Sequence, residues 1–223
     1  MFSDQSFAFL RALKHNNERS WFKEHQQTYE DNVRTPALQF IELMQPHIQA
    51  MSPRMTAVAK KVGGSLMRPQ RDTRFSHNKS PYKLNVGIQF RHFQAGDVHA
   101  PGMYVHIAED ECFLAAGCWH PAGPELNKIR QCIDDNPNSY LKAIAQLTAA
   151  GFMLDGDSLQ RPPKGFDKQH PLIDELKRKD FIAIKSLSSQ QVCRDDFVDF
   201  CAQEFQAVQK LMGYLCFALE LDY

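Results

Sequence analysis

The chain has 223 residues, 43% of them apolar and 11% aromatic, which is the size and apolar content of one domain with a sizeable core. Its 26 basic residues are matched by 26 acidic ones, so no global field draws it to nucleic acid or to an anionic membrane, and an electrostatic partner must meet a local patch. The start MFSDQSFAFLRALK lacks a basic stretch leading into an apolar one, and no run approaches the roughly 18 apolar residues of a membrane span, so a soluble, cytoplasmic protein is expected.

Ser3 and Asp4 are cap-forming residues before Phe7, Leu10 and Leu13, a three-residue recurrence that predicts a first helix ending near Asn16 and Asn17. A second helix carries Trp21, Phe22, His25 and Tyr29. A third opens at Pro36 and turns Leu38, Ile41, Leu43 and Met44 inward. Residues 1–52 thus read as a helical lobe of a single domain. From Ala57 the stretch AVAKKV is short and partly β-branched, and Gly63-Gly64 ends it.

From Asn85 to Phe93, Val86, Ile88 and Phe90 alternate with Gly87, Gln89 and Arg91, the period of a half-buried strand. MYVHIA and CFLAAGCW follow across the acidic turn Glu109-Asp110-Glu111. Three strands on short links within 57–120 predict an antiparallel meander. In 121–223, helices are expected from Pro124 and from Asn138 to Gly151, a tight turn at Leu154 to Asp157, and a short helix from Pro171. A strand at Phe181 to Leu187 comes next, then one long final helix capped near Ser189. Phe197, Phe200, Cys201, Phe205, Val208, Leu211, Leu215 and Phe217 form most of its apolar face. The fold class is therefore α+β: a helical lobe, a central antiparallel sheet and a C-terminal helix packed on it.

Cys112, Cys118, Cys132, Cys193, Cys201 and Cys216 form no CxxC pair and mostly fall within apolar patterns, so reduced core thiols are expected rather than disulfides or zinc ligands. His99, His106 and His120 match no common metal-ligand spacing. Walker, GxGxxG and GxSxG motifs are missing, and neither cofactor nor metal is expected.

Chemistry concentrates between Arg68 and Lys83. Arg68, Arg71, Arg74, Lys79 and Lys83 face a single acid, Asp72, a local +4 that leaves −4 for the rest of the chain. Pro69, Pro81 and the turn formers between them predict an irregular loop that feeds a strand, a good place for side chains to converge. The planar fork of arginine matches phosphate or carboxylate, so Arg71, Arg74, Lys79 and Lys83 suit an anion pocket. The competing reading pairs these cations with Glu109, Asp110, Glu111, Asp134 or Asp135.

Several motifs then coincide: Asn16-Asn17-Glu18-Arg19-Ser20-Trp21-Phe22, Arg71-Asp72-Thr73-Arg74-Phe75-Ser76, Lys79-Ser80-Pro81-Tyr82-Lys83, Gly117-Cys118-Trp119-His120-Pro121, Arg130, Pro163-Lys164-Gly165-Phe166-Asp167 and His170-Pro171. In these the chain resembles, over nearly its whole length, the bacterial and fungal family known as domain of unknown function 2461. The resemblance implies a motif map and no reaction. It groups Arg19, Arg74, Lys83 and Lys164 as cations that a shared pocket would bring together.

Three function classes follow, and the residues leave binding and catalysis both open. One is an enzyme or binding protein for a small phosphorylated or carboxylated molecule, with His120 as the proton-transfer residue. Another is a nucleic-acid-binding module in which Phe75, Tyr82 and Trp119 stack on bases, which the neutral net charge counts against. A protein-interaction domain using the same basic loop is the third alternative.

Overall fold

The structure, a computed structural model, describes residues 1–94 and 101–223, so His99 lies outside the described residues. The N-terminal helices come first: α1 (Asp4–His15), α2 (Arg19–Glu24), α3 (Gln26–Tyr29), a π turn over Glu30–Arg34, and α4 (Thr35–Met51). Phe7, Leu10 and Leu13 are buried as their spacing requires. In α4, Phe40, Ile41, Met44 and Ile48 are buried, whereas Leu43, expected inside, is 52% exposed. It lies off the 3.6-residue stripe that those four define.

Six antiparallel strands follow: β1 (Met55–Thr56), β2 (Asn85–His92), β3 (Gly102–Ala108), β4 (Cys112–Cys118), β5 (Met153–Asp155) and β6 (Phe181–Leu187), in the spatial order β1-β2-β3-β4-β6-β5. The predicted meander is β2, β3 and β4. The remaining helices are α5 (Gly123–Asp135), α6 (Pro137–Ala149), α7 (Ile173–Leu176), α8 (Ser189–Val192), α9 (Phe197–Gln206) and α10 (Gln209–Ala218). The C-terminal helical stretch is therefore three pieces, of which α9 packs on α4 and α10 on β4. Ser188 caps α8 in a capping box with Gln191, and Arg194 pairs with Asp196 where the chain turns into α9. Phe217 ends up 68% exposed rather than on the inner face.

Two readings of local pattern need correction. AVAKKV forms no strand: the chain loops from Val58 to Ser65, whose hydroxyl and amide both bond the Val58 backbone, and β1 lies just before it. At Leu154-Asp155 a short strand, β5, precedes the expected turn.

Register sorts the sheet into two faces, because side chains alternate along a strand. Ile88, Val105 and Leu114 make one cross-strand row, and Phe90, Met103, Ala116 and Ala183 the next. That face meets the helices, with α4 on β1 and β2, α10 on β4, and α5 and α6 against α10. The opposite face carries Gly87, His106, Phe113 and Ser186 in one row. Gln89, Tyr104, Ala115, Ile184 and Met153 make a second row, and Gly102, Gly117, Ile182 and Asp155 a third. This face encloses a groove of about 540 Å³.

Beyond β1, the outer edge of β2 is paired by residues 65–71. The Met67 amide donates to the Gly87 carbonyl at 2.9 Å, the Lys83 amide to Pro69 at 2.7 Å, and the Arg71 amide to Pro81 at 2.9 Å. Residues 65–71 and 81–89 thus form a two-stranded ribbon. Its tip, residues 72–80, is the cation-rich loop.

Candidate functional site

The ribbon tip is clamped by the turn that follows α1. Asn17 donates from Nδ2 to the Tyr82 carbonyl and accepts the Tyr82 amide on Oδ1, both at 3.0 Å, so one side chain closes the ladder as a further strand would. The Tyr82 ring stacks on Phe22 with centroids 4.0 Å apart and 11° between planes. Two motifs, NNERSWF and KSPYK, are thereby one physical unit.

Between them lies a cleft of about 430 Å³ lined by Asn17, Arg19, Gln70, Arg71, Lys79 and Tyr82, among others. Arg19 comes from α2, Arg71 and Lys79 from the ribbon. Lys79 is aimed across the tip and donates to the Thr73 carbonyl at 2.9 Å. The acids expected as partners are engaged elsewhere: Glu109 and Asp110 with Arg11 and Lys14, and Asp134 with His170. Glu111 lies 3.8 Å from His106. Among the described residues, the only ion pair of the Arg68 to Lys83 segment is Arg74 with Asp72, at 2.6 Å. The Arg74 guanidinium holds the Asp72 carboxyl down at about 2.

Other expected site residues are outside this cleft. Arg74 is 77% exposed and its charge is already matched by Asp72. Lys83 is half-buried, and burial followed by the charge of Arg68 pushes its amine down from the usual lysine range. Lys164 is exposed on the loop after β5. Of the four cations grouped by motif, Arg19 alone lines the cleft. Trp119 and His120 follow β4 and stand at the other end of the sheet. From Asn85 to Arg91 is six residues, roughly 20 Å of strand.

At that other end a second arrangement appears. The carboxylate of Asp180, just before β6, is fully buried and accepts three donors: the His120 amide at 2.7 Å, the Asp157 amide at 2.9 Å and the His120 ring at Nδ1. His120 adopts a positive φ of 48°, uncommon for a residue with a side chain. Gly156, at φ 104°, packs so closely on Asp180 that a Cβ would overlap it. Arg130 braces the approach to Asp180 by donating to the Leu176 carbonyl at 2.7 Å and the Arg178 carbonyl at 3.0 Å. Sequence reading singled out His120 and Arg130 and missed Asp180, which carries no motif and gains its meaning only from strand register.

No described helix is long and apolar enough to cross a membrane, and all six cysteines are unpaired. No curated protein matches the chain. The family described as conserved hypothetical protein (DUF2461) matches over residues 5–214, in which the α2 turn, the ribbon tip, Arg130 and the His120–Asp180 pair all fall, and the chain belongs to that family.

Proposed function

We propose that the cleft between α2 and the ribbon tip binds a small phosphorylated or carboxylated molecule. The observation that carries this reading is that Arg19, Arg71 and Lys79 converge from two chain segments on one cleft while none of them has a carboxylate partner among the described residues. Two guanidinium forks and an ammonium on one concavity suit a doubly charged oxyanion. A nucleic-acid surface is less well supported, because Tyr82, one of its three expected stacking rings, is buried on Phe22. We read the protein as cytoplasmic, since six unpaired thiols suit a reducing compartment.

The test is a thermal-shift panel of inorganic phosphate, sulfate, phosphorylated sugars and dicarboxylates. A ligand at about 100 times its Kd adds roughly 2.7 kcal/mol, which raises Tm by about 5 to 10 °C at this size. Arg71→Ala and Arg19→Ala abolish the shift, and Arg74→Ala retains it. A shift that survives Arg71→Ala, or a panel with no active member, overturns the reading. Salt titration of the bound anion gives a shallow slope; a steep one signals contacts along a nucleic-acid backbone.

A further inference from the structure

The open face of the sheet carries a second concavity that the basic cleft does not use, a groove of about 540 Å³. Gly102 pairs with Gly117 across β3 and β4, and Ala115 lies opposite Tyr104, so much of the floor carries little or no side chain. The Tyr104 hydroxyl reaches Gly87, where a Cβ would stand 2.6 Å from it. The walls are apolar and partly aromatic: Met67, Phe113, Trp119, Ile182 and Ile184. Trp119 is 49% exposed in spite of its size. From the row of Gly102 and Gly117 to the row of His106 and Phe113 is four residues of β3, about 13 Å of strand. That length and volume suit a small organic ligand.

The charge of this groove is opposite to that of the basic cleft. Among the described residues that line it there is no lysine or arginine, and there is one carboxylate, Asp155. Register sets Asp155 beside Ile182, which in turn faces Gly117, all on the face that carries Ile184. Trp119 follows Gly117 by two residues, which by strand alternation is this face again. Asp155 and Trp119 therefore stand at one end of the groove, and His106 and Phe113 at the other. The Asp155 side chain is exposed, and its carboxylate has neither an ion pair nor a hydrogen bond among the described residues. The other titratable groups in the lining carry no charge at neutral pH. Burial holds His106 below the usual histidine range and pushes the Tyr104 hydroxyl up to about 12. A trough of apolar and aromatic side chains thus ends in a single unmatched negative charge.

We infer that this groove binds an organic cation, an amine whose flat apolar body lies on the floor of Gly102, Ala115 and Gly117 and whose ammonium meets Asp155 at the Trp119 end. Such a molecule leaves its apolar part in the trough and keeps its charged head at the water, where Asp155 stands. Aromatic walls favour the same ligand, because ring faces attract cations. The phosphorylated or carboxylated molecules assigned to the basic cleft are excluded here, since Asp155 repels them and the lining offers no lysine or arginine in return.

Equilibrium dialysis of the full chain at pH 7.5 with 2-naphthylmethylamine and with 2-naphthylmethanol, which keeps the rings and replaces the ammonium by a neutral hydroxyl, tests this. The parent binds the amine about five times more tightly than the alcohol, the equivalent of roughly 1 kcal/mol for one exposed charge pair. Asp155→Asn keeps the shape of the side chain and removes its charge, so it binds both compounds with the affinity of the alcohol. Ala115→Leu fills the trough from its floor and abolishes binding of both, with its melting transition confirming that it folds. Asp155→Asn changes an exposed position and decides the outcome by itself should Ala115→Leu not fold. Equal affinity of the parent for amine and alcohol, no binding of either, a preference for the amine retained in Asp155→Asn, or binding retained in folded Ala115→Leu overturns the proposal.

Discussion

His106 shows how a single residue ties this fold to pH. Its ring stacks on Phe113 with centroids 4.5 Å apart and 6° between planes. Burial pushes its pKa down from the usual histidine range, more strongly than Glu111, 3.8 Å from Nε2, pulls it up. The folded state therefore holds this imidazole neutral at a pH where the unfolded chain, with an ordinary value of about 6.5, already binds a proton. Stability rises with pH wherever the unfolded state binds more protons, so the contribution of His106 is complete above that value and is lost as pH falls from there through the lower folded value. Denaturant melts of the parent and of His106→Gln between pH 7.5 and pH 5 provide the check. The parent loses more stability on acidification than the variant, and parallel curves refute the assignment. The burial that depresses this pKa was not legible in the sequence, where MYVHIA reads as a strand with no sign of what covers the side that carries His106. That side proved to be the groove, with Phe113 and Tyr104 as neighbours.

At the scale of elements, the ribbon and α2 stand or fall together. Residues 69–71 and 81–83 lie beyond the six-stranded sheet, and the Asn17 bonds together with the Phe22–Tyr82 stack dock them on the helical lobe. Asn17→Ala leaves the Tyr82 amide and carbonyl without partners in a half-buried place, at a cost of about 1 to 3 kcal/mol. Loss confined to one docking contact produces local opening rather than global unfolding. Hydrogen exchange should accelerate across residues 69–83 and stay unchanged in β3 and β4, while the anion-dependent Tm shift shrinks. Uniform acceleration over the whole chain would mean that Asn17 supports the core and not the cleft. The strands of the meander were legible because alternation with one buried face is a strong local signal. The ribbon was not, since Pro69 and Pro81 read as strand breakers yet join this ladder through their carbonyls, which accept from Lys83 and Arg71. The break between α8 and α9 was hidden because apolar spacing continues across it.

For the molecule as a whole, one continuous core joins parts that look separable in the sequence. Phe40 of α4, Phe90 of β2 and Phe205 of α9 meet at centroid distances of 6.4 Å on either side of Phe90, and all three are fully buried. The helical lobe therefore shares its apolar contacts with the sheet and the C-terminal helices, and among the described residues all three contribute to one buried cluster. Removing the Phe90 ring leaves a cavity bordered by both helical groups, at a cost of about 3 to 5 kcal/mol. The two tryptophans make the cooperativity measurable. Trp21 reports on α2, where it stacks on His25, and Trp119 reports on the far end of the sheet. In single-tryptophan versions, Trp21→Phe and Trp119→Phe, the remaining fluorophore should trace the same denaturant midpoint as circular dichroism, and Phe90→Ala should lower both midpoints together. A Trp21 signal that melts separately, or that ignores Phe90→Ala, would show that the lobe carrying Arg19 folds on its own. The basic cleft would then be assembled by docking two units and not by a single fold.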